Sequence, residues 1–75
     1  MSSKTGFTKK ELEVLVYLSQ GKPNKEIAKD LDITVRTVEH HITNIFRKFE
    51  VKNRTEAAIC FRKILADSGN DGNPP

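Results

Sequence analysis

At 75 residues the chain has enough material for one small domain with one shared core, and too little to wall a sizeable cleft off from water, which sets an enclosed active site aside. Its single cysteine, Cys60, excludes an intrachain disulfide, and no apolar run nears the roughly 20 residues of a membrane span, so a cytoplasmic setting is expected. The net charge of +3 and a pI near 9.2 point modestly to an anionic partner met at the outer surface.

That charge is unevenly placed. From Phe7 to Ile33 five Lys meet five Asp or Glu, whereas from Thr34 to Ala66 seven Lys or Arg meet three Glu, so the excess lies in the second half. The ends "MSSKTG" and "DSGNDGNPP" have little to bury, and residues 1–6 and 67–75 are expected as disordered tails flanking a domain over 7–66. Between them no strand alternation or internal repeat occurs, and the punctuation predicts an all-α chain of four helices.

The first helix opens at "TKKE", where Thr8 can cap the backbone, Glu11 can reach back and Phe7 can act as a staple. Gly21, backed by Pro23, ends it. Val14, Leu15 and Leu18 share the arc expected to face the core. Leu12 and Val16 fall to one side, as core rim or as a contact patch. The second helix is short and starts at Asn24, read as its cap, with Ile27, Ala28 and Leu31 inward. Asp32 belongs to the few types that accept a left-handed backbone, so "LDIT" turns the chain there, with Ile33 anchoring the turn and Thr34 capping the next helix.

The third helix, from about Val35 to Phe49, has two unlike faces. Val38, Ile42, Ile45 and Phe49 make a narrow apolar seam, while Arg36, Glu39, His40, Thr43 and Arg47 occupy the other side, flanked by Asn44 and Lys48. Any surface helix has a polar face. This one carries groups able to donate to phosphates and read base edges, on a helix that comes after a tight turn. The fourth helix opens at "NRTE", with Asn53 as cap and Glu56 completing the reciprocal pair. Ala57, Ala58, Phe61, Ile64 and Leu65 are expected inward. Glu56, Ile59, Cys60 and Lys63 form a separate edge, with Ile59 pointing outward as a candidate seed for pairing two copies.

The spacing of Ile27, Ala28, Leu31, Ile33, Val38 and Ile42 around Asp32 fits a helix-turn-helix. Together, "TKKELEVLVYLSQG", "PNKEIAKDLDIT", "RTVEHHITNIFRKFEV" and "NRTEAA" closely resemble the LuxR-type family of bacterial DNA-binding domains, also called GerE-like or FixJ/NarL-type. The likeness runs from Phe7 to about Ile59. It implies a transcription regulator that binds double-stranded DNA with its third helix in the major groove, and whose last helix pairs two copies on a two-fold operator. It also implies either the output domain of a response regulator, with an N-terminal regulatory domain absent from this chain, or a small stand-alone regulator. RNA polymerase is a further partner it leaves open.

Carried over by motif, Glu39, His40 and Thr43 are the base-reading candidates. Asn24, Lys25, Thr34, Arg36, Thr37, Arg47 and Lys48 are the phosphate-contacting ones, because helix N-termini offer free N–H groups and Lys and Arg displace counterions. Glu56, Ile59, Cys60 and Lys63 are the dimerisation candidates. One pair of helices buries too little for a tight dimer, so the homodimer is expected to be weak off DNA. The family commonly has Lys where this chain has Glu39, which suggests a carboxylate aimed at a cytosine amino group or held by Arg36. His41 is read as structural. A metal site, cofactor or enzyme activity is not expected, since adjacent His40 and His41 point about 100° apart on a helix. The rival reading is a helical module of the same fold that binds a partner protein, with Leu12, Val16 and Ile59 in contact.

Overall fold

A computed structural model describes the backbone of residues 6–71 and the side chains of residues 6–67. Four helices succeed one another: α1 (Lys9–Ser19), α2 (Asn24–Leu31), α3 (Val35–Phe49) and α4 (Arg54–Asp71). α1 packs against the other three, α2 lies on α3, and α3 also touches α4. The bounds of α3 are those the periodicity indicates. α4 runs five residues beyond the expected end at 66, so residues 67–71, expected as tail, are helical. The rest of the expected tails, residues 1–5 and 72–75, lies outside the described residues.

Local chemistry sets the helix ends. Thr8 Oγ1 accepts from the Glu11 N–H at 3.1 Å while Glu11 Oε1 accepts from the Thr8 N–H at 3.0 Å, the reciprocal pair that satisfies two donors at the start of α1. At its other end Gly21 takes a positive φ of 83°, which lets the Lys22 N–H reach the Tyr17 carbonyl and the Gly21 N–H reach that of Leu18. Asp32 repeats this stop in a non-glycine residue, at φ 58° and ψ 46°, and the Ile33 N–H closes on the Ala28 carbonyl. Glu50 does the same after α3 with the same angles, a second left-handed residue that the sequence did not announce.

Two caps differ from expectation. Asn24 is the first residue of α2, not its cap; Pro23 precedes it and makes no side-chain capping bond. A missing Pro N–H costs nothing there, and the Asn24 side chain is committed elsewhere. Asn53 caps α4 by accepting from the Glu56 N–H at 2.9 Å, but Glu56 reaches back to the N–H of Lys52, one residue before the cap, not to that of Asn53 itself.

The core is apolar and tight. Val14, Leu15 and Leu18 of α1, Ile27 and Ala28 of α2, Val38, Ile42 and Ile45 of α3, and Ala57 and Phe61 of α4 are buried together. Phe49, Leu31, Ile33 and Ala58 pack on it half-buried, and Phe7 meets the Phe49 ring edge-on at 4.9 Å. Leu65, expected inward, is instead 53% exposed, because α4 outruns the two helices it packs on, α1 and α3. Leu12 and Val16 stand 40% and 41% exposed on the edge of α1. No described helix is long and apolar enough to cross a membrane.

Candidate nucleic-acid interface

α3 turns its apolar seam to α1, α2 and α4 and leaves the opposite side bare. Arg36, Glu39, His40, Thr43 and Arg47 are all exposed. Among the described residues no ion pair engages Arg36, Glu39 or Arg47, so the suggested Arg36–Glu39 bridge is not formed. One residue on from buried Val38, Glu39 stands about 100° round from the seam, at the shoulder of the row; His40, Thr43 and Arg47 form its crest. The Thr43 hydroxyl donates to the Glu39 carbonyl at 3.0 Å, which leaves its oxygen lone pairs outward as acceptors.

A three-residue turn, Asp32 to Thr34, joins α2 to this helix. Thr34 Oγ1 accepts from the Thr37 N–H at 3.1 Å and lies 2.9 Å from Thr37 Oγ1. The two hydroxyls share one hydrogen between them, so whichever donates, the other keeps a free O–H. The main-chain N–H groups of Val35 and Arg36 precede the first bond of the helix, from the Val38 N–H to the Thr34 carbonyl. Donors thus gather at the start of α3 with the positive end of its dipole behind them. Lys25, in the first turn of α2, is exposed and carries no ion pair among the described residues.

Lys48 has a different employment. Its Nζ donates to Glu11 Oε1 at 2.6 Å and to the Gly6 carbonyl at 2.9 Å, and it lies 5.5 Å from the centre of the Phe7 ring. Glu11 is only 4% exposed, an acid inside the core boundary. Burial pushes its carboxyl upward, but the Lys48 bond, the Thr8 N–H bond and the charges of Lys48 and His41 outweigh this and hold it below its usual value. The ammonium is therefore the counter-charge of a buried carboxylate. Nothing local in "RKFE" signals a partner 37 residues away.

Asn24 is likewise engaged. Arg54 Nη1 donates to its Oδ1 at 2.6 Å, and Arg54 Nη2 donates to the Lys22 carbonyl at 2.7 Å. Arg54 was legible only as part of a cap motif, because its fork spans 30 residues of sequence. His41 is half-buried, and its Nδ1 is shielded from solvent with no hydrogen-bond partner among the described residues. The His40 and His41 rings lie 6.2 Å apart at 55°, and no group of three or more His, Cys, Asp or Glu converges among the described residues.

On α4 the four dimerisation candidates are variously placed. Glu56 and Lys63 are exposed, Cys60 is half-buried, and Ile59 is 50% exposed beside a shallow groove lined by Leu18, Ser19, Ala58 and Arg62.

Comparison with known proteins matches residues 5–61 to the family described as bacterial regulatory proteins, luxR family. The chain is 54% identical over 52 residues to the transcriptional regulatory protein LiaR of Bacillus subtilis (strain 168), covering 69% of this chain and 25% of LiaR. It is 44% identical over 52 residues to the response regulator protein VraR of Staphylococcus aureus (strain Mu3 / ATCC 700698) and to that of Staphylococcus epidermidis, with the same 69% and 25% coverage. The chain thus matches about a quarter of the length of these relatives.

Proposed function

This chain belongs to the luxR family of bacterial regulatory proteins and is a DNA-binding transcription-regulator domain, and we propose that it reads a specific duplex sequence through the bare side of α3. α3 enters the major groove. His40 and Thr43 at the crest and Glu39 at the shoulder meet base edges, Thr43 offering acceptors and Glu39 accepting from a cytosine amino group. Arg36 and Arg47, Lys25, the Thr34–Thr37 hydroxyl pair, Asn24 and the free N–H groups at the starts of α2 and α3 hold phosphates on either side. Lys48 is left out of that set, because its ammonium neutralises Glu11.

α4 pairs two copies through Ile59, with Glu56, Cys60 and Lys63 around it, and the pair settles on half-sites about one helical turn, roughly 10 bp, apart. LiaR and VraR carry regulator names, and this chain would act as the output part of such a protein. One observation carries the reading. The outer row of α3 is exposed and, among the described residues, free of ion pairs, so it can be desolvated against a polyanion without breaking bonds of the fold.

Selection from a randomised duplex library, with anisotropy titration of the winner at several salt concentrations, tests it. The expected result is a two-fold-symmetric site whose affinity falls steeply with salt. Absence of any complex in dilute buffer, or equal affinity for scrambled duplexes, would overturn it. A second reading, docking of a partner protein, rests on the exposed Leu12 and Val16 of α1; complexes that survive nuclease and are lost in Val16→Asp would favour it.

A further inference from the structure

Asn24 opens α2, yet its side chain caps nothing in its own helix; its carbonyl oxygen is gripped by Arg54 from the first residue of α4. A guanidinium has five N–H donors and no acceptor, so the bond fixes which end of the Asn24 amide faces it. Oδ1 must turn to Arg54, and the two N–H donors of the amide must turn away. Among the described residues no other side-chain bond of Asn24 occurs, so those donors are unspent. The second arm of the fork holds the Lys22 carbonyl, in the link between α1 and α2, at 2.7 Å, so the arginine cannot swing without releasing the loop as well.

From this we infer that Arg54 is a positioning residue for DNA binding: it touches no phosphate itself, but orients the Asn24 amide so that its N–H donors face the DNA backbone beside the start of α2. The inference rests on the reading of Asn24 as a phosphate contact. Because the planar fork bonds oxygens on both sides of Pro23, it also ties the beginning of α4 to the beginning of the helix-turn-helix. A lysine in its place supplies a charge but not two parallel bonds.

The test compares wild type, Arg54→Met, Arg54→Lys, Asn24→Ala, Asn24→Asp and the Arg54→Met/Asn24→Ala double variant. Each is titrated against the tightest library-selected duplex across a salt series, with thermal unfolding of each protein in parallel. Arg54→Met and Asn24→Ala should each weaken binding roughly 5–30-fold, and the double variant should be no weaker than the worse single one. The salt slope should stay at the wild-type value in Arg54→Met, since the contact that is lost, from the neutral Asn24 amide, neutralises no phosphate charge. Arg54→Lys should fall between. Asn24→Asp keeps the Arg54 bond, and so the melting temperature, but presents a carboxylate in place of the donors, so its binding should fall at least as far as that of Asn24→Ala.

A salt slope reduced by about one in Arg54→Met would show that Arg54 contacts phosphate directly and overturn the inference. Additive losses, or an Asn24→Asp variant that binds like wild type, would overturn it too. Should wild type bind with a steep salt slope while all these variants match it, this inference alone fails; should wild type bind no duplex, the reading beneath it fails as well.

Discussion

Replacing Lys48 by Met keeps most of the apolar stem and removes the ammonium that meets Glu11 at 2.6 Å and the Gly6 carbonyl at 2.9 Å. A hydrogen bond to a charged group is worth about 1.5–3 kcal/mol, and stranding a fully buried charge costs about 3–5 kcal/mol. Here the stranded carboxylate is 4% exposed but retains the Thr8 N–H, and the lysine side chain is itself 34% open to water. The expected loss at pH 7 is therefore about 1.5–2.5 kcal/mol, which for a domain of this size lowers the melting temperature by roughly 6–20 °C.

The pH dependence fixes the cause. Glu11 is held below its ordinary value in the folded wild type, so its contribution is present above the usual carboxylate range and is lost as pH falls through the folded value. In Lys48→Met burial is far less opposed, the carboxyl takes up its proton at higher pH, and the variant sheds its penalty sooner on acidification. Urea unfolding at pH 7 and at about pH 3.5 should show a gap between the two proteins that narrows in acid. A gap that stays constant with pH, or one below about 0.5 kcal/mol at neutrality, would reduce the pair to an ordinary surface contact and refute the reasoning. The salt slope of DNA binding should be unchanged in this variant; a drop of about one would return Lys48 to the phosphate set.

The remaining expectations concern the exposed surface. Arg47→Ala should leave unfolding within about 0.5 kcal/mol of wild type, weaken binding to every duplex alike and reduce the salt slope by about one, as read by anisotropy across a salt series. Glu39→Gln should change the ranking of an operator panel, costing about 1–3 kcal/mol at one base position; a uniform change across the panel would contradict base reading. Ile59→Asp should abolish cooperative occupancy of two half-sites while a single half-site is bound as before, checked by gel shift and sedimentation; loss at both would place Ile59 elsewhere than in the pairing of copies.

Much of the architecture was legible because it is written in short-range chemistry. Thr8 and Glu11, Gly21, Asp32, Thr34 and Asn53 mark helix ends by bonds within five residues of each other, and the seam of Val38, Ile42 and Ile45 repeats at helical spacing. The bare row of α3 is a product of the same periodicity. What escaped were bonds between residues far apart: Lys48 to Glu11, Arg54 to Asn24 and Lys22. A lysine on the flank of a polar face and an asparagine after proline look like solvent-facing groups until the packing of α1, α3 and α4 sets their neighbours. Leu65 fails for the converse reason. Its position on the helical wheel is inward, but α4 has outrun the elements that would cover it.

Asp32 and Glu50 hold the same left-handed angles, the first closing α2 ahead of the turn into α3 and the second closing α3. Each stop is costly for a residue with a side chain, so neither is free to drift by a position. The 15 residues of α3 that lie between these two stops form a rod of about 22 Å, held by the turn after Asp32 at one end and by Glu50 at the other. A single alanine spliced in after Glu39 would have no slack to absorb it: every later side chain would turn by about 100°, swinging Thr43 and Arg47 out of the exposed row and Ile42 and Ile45 out of the interior together. Substitution can change the outward row one side chain at a time, whereas insertion can only dismantle the rod.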